Sequence, residues 1–255
     1  MATASPIPSI HLLCLVEEYV DVFKAASKTY GLPGSINVTF HLGPLEQVSQ
    51  DVRFDAIVSP ANSYARLDGS FDDALSRAFS PLDNYLALTH VAQKKVYEEW
   101  RGFAPPGTCT MIDIDHESLQ KDQWGCKYLA LCPTMKIPQI VTWDREVVYE
   151  CIWSLLCAID KHNRRIQTSE NEGEREIKSF MMTPLATGCG AWKAERWAAQ
   201  TVLAIKHFVE ACEDEETWSK MKFGKVLELA RETEPTYDLS ARGKETRGFS
   251  LFSRN

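Results

Sequence analysis

The fold class of this chain is indicated most clearly by FDAIVSPANSY at residues 54–64 and by LDGSFDDAL at residues 67–75, which follows it. A short apolar run at residues 56–58 leads into a loop of small residues with one asparagine, and a Gly-Ser pair then opens a helix-periodic segment. A buried strand, a small-residue loop and a helix in this order form the repeating unit of α/β proteins. Because the first backbone N–H groups of such a helix lack intrahelical partners, this loop predicts a seat for a phosphate or another anion.

The same design returns at residues 180–192, FMMTPLATGCGAW, which lead into another helix-periodic segment. Gly188 and Gly190 are expected to adopt the unusual dihedral angles of a tight anion-binding loop, and Thr187 adds a hydroxyl. If the two loops face each other, their backbone N–H groups could bind the two phosphates of a diphosphate, so we predict a diphosphate site between them. The sequence has no GxxxxGK[ST] motif, and its first strand is not followed by GxGxxG, so the common nucleotide fingerprints are excluded.

Apolar runs and helix-periodic segments alternate along the rest of the chain. The predicted strands span residues 10–16, 36–42, 56–58, 108–114, 128–131 and 179–182. The predicted helices span residues 17–30, 71–79, 84–100, 145–166, 194–212 and 215–232. This alternation predicts an α/β fold, a three-layer α/β/α sandwich with a mixed, largely parallel central sheet. Ligands of such folds collect at the carboxyl ends of the strands, where both loops are expected to lie.

The length of 255 residues and the hydrophobic share of 44% are those of a folded domain. We predict a single domain over residues 1–235, with a surface loop at 167–176 and a slightly basic tail at 236–255. No apolar run approaches the ~20 residues that a membrane span needs, and the first residues lack the features of a signal peptide. We therefore expect a cytoplasmic or nuclear protein without a membrane partner.

Charge and composition exclude further classes of function. The formal net charge of -7 gives no electrostatic reason to expect a nucleic-acid partner. The six histidines and eight cysteines show no CxxC and no metal-ligand spacing, so we predict no metal site, no cofactor and reduced thiols.

The quoted residues resemble macrodomains, which are ADP-ribose-binding α/β/α modules. Residues 55–75, with PANS at their centre, and residues 184–192, with TGCG, look like the two ligand loops of that family. LALCPTMKIP at residues 129–138 resembles the corresponding strand and loop of a divergent fungal and phage-tail-like branch. The resemblance covers roughly residues 35–209, with the order of the elements intact.

The resemblance implies a set of ligand contacts. Asn62 would hold the distal ribose and Trp192 would lie beside it. The residues implied at the phosphates are Gly69, Ser70 and Phe71 in the first loop and Thr187, Gly188, Cys189 and Gly190 in the second. Asp72 occupies the position of the acid that some hydrolytic macrodomains use, and it is the candidate catalytic residue. The implied partner is ADP-ribose or an ADP-ribosylated protein, bound by a monomer.

The sequence also departs from the family pattern. Pro44 stands where many macrodomains place an aspartate against the adenine amino group, and either Glu17 or Glu18 is a candidate replacement. The glycine run of the first loop is broken by Asp68 and Ser70, which places a carboxylate near the proposed diphosphate.

Each site residue also has a purely structural interpretation. Ser70 with Asp73 forms a potential capping box, Asn62 is a potential turn residue, and Trp192 could close the core beneath its loop.

Three functions stay open at this point. The first is binding of ADP-ribose or a related nucleotide diphosphate-ribose, with hydrolysis of an ADP-ribosyl ester or of ADP-ribose 1"-phosphate. The second is a non-catalytic reader or a decayed interaction module. The third is a thiol hydrolase that uses Cys189 as nucleophile.

Overall fold

The computed structural model of this chain describes residues 5–121, 123–168 and 174–237. The strands are β1 (Ser9–Cys14), β2 (Val38–Leu42), β3 (Ala56–Ser59), β4 (Thr110–Asp113), β5 (Tyr128–Leu131) and β6 (Ser179–Met182). The helices are α1 (Glu17–Tyr30), α2 (Phe71–Phe79), α3 (Ala87–Trp100), α4 (Val147–Thr168), α5 (Ala194–Glu213), α6 (Glu215–Ser219) and α7 (Phe223–Thr233).

The six strands form one sheet in the order β2-β1-β6-β3-β5-β4. All neighbours are parallel except β4, which pairs antiparallel with β5 at the edge. Crossover helices cover both faces, because parallel neighbours cannot be joined by a tight hairpin. The predicted three-layer α/β/α sandwich with a mixed, largely parallel sheet is therefore confirmed.

The sheet separates two hydrophobic cores, and alternate residues of each strand enter opposite ones. Along β3, Ala56 and Val58 pack with α1, α4 and α5, whereas Ile57 packs with α2 and α3. The residues of β3, β5 and most of β6 are buried on both faces of the sheet. This explains why these strands are continuous apolar runs in the sequence and do not alternate between apolar and polar residues. Buried strands of this kind are rigid supports for the loops that follow them.

The C-terminal part differs from the prediction. The helix predicted over residues 215–232 is two helices, α6 and α7. Trp218 stacks on Trp153 at 5.5 Å between ring centroids, and after the break Glu232 of α7 accepts a bond from Lys206 of α5 at 2.5 Å. Residues 169–173 of the predicted surface loop and 238–255 of the predicted tail lie outside the described residues. Within the described ranges, no helix is long and apolar enough to cross a membrane.

Candidate ligand-binding cleft

A cleft of about 1210 Å³ lies at the carboxyl ends of the parallel strands. Segments that follow all five of these strands line it, which is where ligands bind in α/β sheets. Two of the segments carry the predicted site. We call residues 67–71, between β3 and α2, the α2 loop, and residues 184–192, between β6 and α5, the α5 loop.

The structure brings nine of the ten predicted site residues together in this cleft. The lining residues among them are Asn62, Gly69, Ser70, Phe71, Asp72, Thr187, Gly188, Cys189 and Gly190. Because β3 and β6 are hydrogen-bonded neighbours, their loops emerge side by side. The exception is Trp192, which is only 3% exposed and donates its indole N–H to the Val141 carbonyl at 3.0 Å. Trp192 therefore fills the space beneath the α5 loop, and the structure does not place it for ribose stacking.

The α2 loop ends in a strained residue. Ser70 has φ 52° and ψ -128°, a conformation that only glycine adopts freely, and it supplies no side-chain cap to α2. The predicted capping box of Ser70 with Asp73 is therefore wrong, because Asp73 bonds Arg77 and Tyr85 instead. The backbone N–H groups of residues 69, 70 and 71 have no hydrogen-bond partner within the described chain.

The α5 loop is a tight turn closed by its own backbone. Trp192 donates its N–H to the carbonyl of Ala186 at 3.0 Å, and Ala191 donates to that of Gly188 at 3.0 Å. The positive φ angles fall on Ala186 (60°) and Ala191 (57°) and not on the two glycines, so the expectation about glycine dihedral angles was wrong.

Gly190 is required for a different reason. A Cβ atom at this position would lie 2.5 Å from the Ala186 carbonyl oxygen and 3.0 Å from Val141 Cγ2. Gly190 therefore permits the close approach of two backbone segments, whereas a Cβ at Gly188 would meet nothing within 4 Å.

A neighbouring segment, residues 141–145, holds the α5 loop in place. Val141 donates its N–H to the Gly190 carbonyl at 3.1 Å. The guanidinium of Arg196 lies 3.6 Å from the centre of the Trp192 ring and donates to the carbonyls of residues 142, 144 and 145. With the loop braced in this way, the N–H groups of residues 187–190 have no bonded partner in the described part of the chain. They are therefore free to bind an anion in the cleft.

The candidate catalytic acid is a buried group with an unusual pKa. Asp72 lines the cleft but is only 7% exposed, and Ser59 at the end of β3 donates its hydroxyl to Asp72 Oδ1 at 2.7 Å. Burial raises the pKa of Asp72 to about 7, the Ser59 hydrogen bond opposes this rise, and the charge of Asp68 adds to it. Near neutral pH, Asp72 therefore exchanges between its acid and base forms, as a proton-transfer group must.

The other acidic residues of the α2 loop and helix are neutralised locally. Asp68 pairs with Arg66 at 2.6 Å, and Asp73 pairs with Arg77 at 2.8 Å. The hydrogen bond from Arg77 holds the pKa of Asp73 below its usual value. The carboxylate that replaces glycine at residue 68 is thus accompanied by a cation, which reduces its repulsion of a phosphate.

Asn62 is largely occupied by its own loop. Its Oδ1 accepts from the N–H groups of Tyr64 (3.1 Å) and Arg66 (3.4 Å), and its Nδ2 donates to the Arg66 carbonyl at 2.8 Å. This is the turn-forming interpretation of Asn62. One amide N–H remains, so Asn62 can donate to a ribose hydroxyl but has little capacity left to accept from one.

Sequence reasoning missed one wall of the cleft. Residues 119–121, between β4 and β5, pack on the C-terminal end of α2, where Gln120 donates its N–H to the Phe79 carbonyl at 2.9 Å. Trp124 stacks on Phe54 at 5.7 Å between ring centroids. Glu46, after β2, also lines the cleft, whereas the candidates Glu17 and Glu18 do not. The apolar Leu119 and Trp124 in a polar stretch were the available signal.

The thiol-hydrolase alternative gains little from the structure. Cys189 is exposed and lines the cleft, but none of the described lining residues is a histidine that could act as its base. Among the residues described, no group of three or more His, Cys, Asp or Glu could hold a metal ion.

The fold and cleft together define an α/β/α sandwich with a ligand site at the carboxyl edge of its parallel strands, as the sequence resemblance implied. No family model and no curated protein matches the sequence. Solved structures similar to this chain include the Oceanobacillus iheyensis macrodomain with ADP, which is 16% identical over 62% of this chain and 70% of that chain, with a TM-score of 0.44. A glycine-to-valine variant with ADPR is 15% identical over 63% and 74%, with a TM-score of 0.46.

Proposed function

We propose that this protein binds ADP-ribose, free or attached to a protein, in the cleft between the α2 and α5 loops. The observation that carries the proposal is the set of unpartnered amides: three in residues 69–71 and four in residues 187–190 belong to residues that line one cleft and follow two adjacent strands. Backbone N–H groups without partners in loops of this kind are the usual binding site of a diphosphate. They act locally, so they favour a phosphate in spite of the formal net charge of -7.

The position of Asp72 favours a hydrolytic function as the second part of the proposal. Asp72 is the second residue of α2 and directly follows the proposed phosphate-binding amides of residues 69–71, so we expect it next to the ribose end of a ligand held there. In its ionised form it takes a proton from a water molecule. That water attacks the phosphorus of ADP-ribose 1"-phosphate, the bond between phosphorus and the ribosyl oxygen breaks, and this oxygen takes the proton back from Asp72, so that ADP-ribose and phosphate are released. In an ADP-ribosyl ester the water attacks C1" of the ribose instead, the bond from C1" to the ester oxygen breaks, and the carboxylate leaves with the bonding electrons.

The base end of the cleft is the part that departs most from the family pattern. The side chain of Pro44 has no hydrogen-bond acceptor, whereas Glu46, two residues later, lines the cleft, as Gln120 and Trp124 do. We propose that the Glu46 carboxylate accepts a hydrogen bond from the exocyclic amino group of adenine. Glu46→Ala should weaken ADP-ribose binding about tenfold and leave ribose 5-phosphate binding unchanged, as measured by calorimetry. Equal losses for both ligands would contradict this assignment.

Calorimetric titration of the wild-type chain with ADP-ribose tests the binding proposal. We expect saturable heat and a rise in melting temperature, since a ligand that binds only the folded state stabilises it. No heat and no thermal shift at millimolar ligand would overturn the proposal.

Incubation of the same protein with ADP-ribose 1"-phosphate, followed by assay of released phosphate, tests hydrolysis. Binding without turnover on this substrate or on ADP-ribosylated protein would identify a non-catalytic reader.

A further inference from the structure

Two cysteines face each other across the antiparallel edge of the sheet, outside the cleft. β4 and β5 pair with Thr110 opposite Leu131, and the register continued by one residue places Cys109 opposite Cys132. We propose that Cys109 and Cys132 form a site of reversible disulfide formation that ties the edge strand β4 to the wall of the cleft.

The pattern of hydrogen-bonded and non-hydrogen-bonded residue pairs between β4 and β5 favours a disulfide between Cys109 and Cys132. Ile114 donates its N–H to the carbonyl of its partner Lys127 at 2.8 Å, so this pair is hydrogen-bonded. Hydrogen-bonded and non-hydrogen-bonded pairs alternate along an antiparallel ladder, which makes Cys109 and Cys132 a non-hydrogen-bonded pair. The Cα atoms of such pairs lie about 4.5 Å apart, within the range that a disulfide spans.

The two thiols also lie near each other. Cys109 is the largest cause, ahead of burial, of the raised pKa of Cys132. Cys109 is half-buried, whereas Cys132 is fully buried. An oxidant from solvent therefore reaches Cys109 first, and Cys132 is placed to resolve the product.

Cys151 is the competing thiol of this cluster, because it lies close enough to influence Cys132. Its Sγ donates to the Pro133 carbonyl at 3.4 Å, and burial raises its pKa well above the usual value. Cys151 lies on α4 with its thiol directed at a backbone carbonyl, whereas the strand register places Cys132 opposite Cys109, so Cys132 is the favoured partner.

The reaction with glutathione disulfide is a pair of thiol–disulfide exchanges. The Cys109 thiolate attacks one sulfur of the oxidant, which forms a mixed disulfide and releases one glutathione. The Cys132 thiolate then attacks the Cys109 sulfur and displaces the second glutathione. The protein loses two protons and two electrons, and the glutathione disulfide gains them to become two glutathione molecules.

The bond would act on the cleft through one short connection. Cys132 donates its N–H to the Ser59 carbonyl at 2.9 Å, and Thr134 and Met135, which follow it, line the cleft. Covalent attachment of Cys132 to β4 restrains this segment, so we expect the oxidised protein to melt several degrees higher than the reduced protein.

Peptide mapping under non-reducing conditions after incubation with glutathione disulfide is the test. We expect a Cys109–Cys132 linked peptide in the wild-type chain that disappears on reduction. Cys109→Ser should abolish it, and Cys212→Ser, which changes an exposed thiol elsewhere, should retain it. A stable glutathione adduct on Cys109, or a linkage that includes Cys151, would overturn the proposal.

A second measurement needs no variant. The melting temperatures of oxidised and reduced wild-type protein should differ in the stated direction, and equal values would contradict the restraint on the cleft segment. Neither experiment depends on ADP-ribose, so failure here leaves the proposed function untouched.

Discussion

The α2 loop and the α5 loop follow neighbouring strands and line the same cleft, but they differ in what they contribute. The α2 loop and the first turn of α2 are rich in charge: Asp68 and Asp73 each have an arginine partner, and Asp72 is buried against Ser59. Residues 184–192 of the α5 loop include no charged side chain, and the loop is shaped by close backbone contacts around Gly190.

This difference separates binding from chemistry. The α5 loop has no charged side chain, and its contacts with residues 141–145 and Arg196 fix its conformation. Its N–H groups therefore keep fixed directions, which is what diphosphate binding requires. A loop that is followed directly by a titrating carboxyl group, here Asp72, can support proton transfer next to the phosphate-binding amides. We therefore expect changes in the α5 loop to affect affinity first, and changes around Asp72 to affect turnover first.

The largest expected effect follows from Asp72→Asn. The amide keeps an acceptor for the Ser59 hydroxyl but cannot take a proton, so turnover should fall by roughly 10² to 10⁴ while ADP-ribose affinity changes little. Phosphate release from ADP-ribose 1"-phosphate and calorimetry measure the two quantities. Asp73→Asn is a control at a more accessible, ion-paired carboxylate. Full turnover in the Asp72 variant would show that Asp72 is not the base.

The same variant has a signature in stability. The pKa of Asp72 is about 7 in the folded chain, whereas its ordinary value, taken for the unfolded chain, is 3.8. Between these two pH values Asp72 is therefore protonated in the folded state and ionised in the unfolded state. Wild-type stability should therefore fall as pH rises through this window, by up to about 4 kcal/mol, and the Asn variant should not show that loss. Urea unfolding at several pH values measures the difference, and parallel curves would contradict the raised pKa.

Gly190→Ala should have the next largest effect. Its methyl group would lie 2.5 Å from the Ala186 carbonyl oxygen, so the turn must open, at a cost of about 1–3 kcal/mol in stability. ADP-ribose affinity should fall at least about tenfold, because the N–H groups of the loop lose their common direction. Gly188→Ala is the matched control, since its methyl group meets nothing within 4 Å. Equal affinities of the two variants would show that loop shape does not hold the ligand.

Ser59→Ala should shift the pH dependence of turnover. The Ser59 hydroxyl stabilises the ionised form of Asp72, so its removal should raise the pKa of Asp72 further. The acid limb of the pH–rate profile should then move to higher pH, and Ser59→Thr should restore it in part. If the pH–rate profile is unchanged and only the stability falls, Ser59 contributes to packing and does not set the pKa of Asp72.

Ser70→Gly is the smallest expected change. Glycine adopts the φ of 52° at this position without strain, so stability should rise by about 0.5–1 kcal/mol. Gly69→Ala is the comparison, because residue 69 has open space and no positive φ, and it should stay within about 0.5 kcal/mol of wild type. Thermal unfolding measures both. A loss of stability in Ser70→Gly would mean that the serine side chain contributes more than the strain costs.

Much of the fold and most of the cleft could be predicted from the sequence, because they depend on local patterns. The apolar runs around β3 and β6 mark strands buried on both faces, and parallel strands bring their carboxyl-terminal loops to one edge. Residues 62, 69–72 and 187–190 meet for this reason. The separation of α6 from α7 was not predictable, since the position of α7 depends on its contacts with α5.

The errors at the site have a common cause. A residue-type rule assigned the strained dihedral angles to Gly188 and Gly190, whereas tertiary contacts place them on Ala186 and Ala191. Trp192 was equally suited to ribose stacking or to the core, and only the position of Val141 decides between them. The wall formed by residues 119–121 and 123–124 depends on packing against α2, which is distant in sequence, so its position could not be predicted from a local pattern.

The most direct test of the central claim is an amide NMR titration of the isotopically labelled wild-type chain with ADP-ribose. We predict saturable shifts of the N–H resonances of residues 69–71 and 187–190 with a single dissociation constant, and smaller shifts on the far side of the sheet. Binding of ADP-ribose that leaves both sets of resonances unchanged would contradict the assignment of the diphosphate to the two loops.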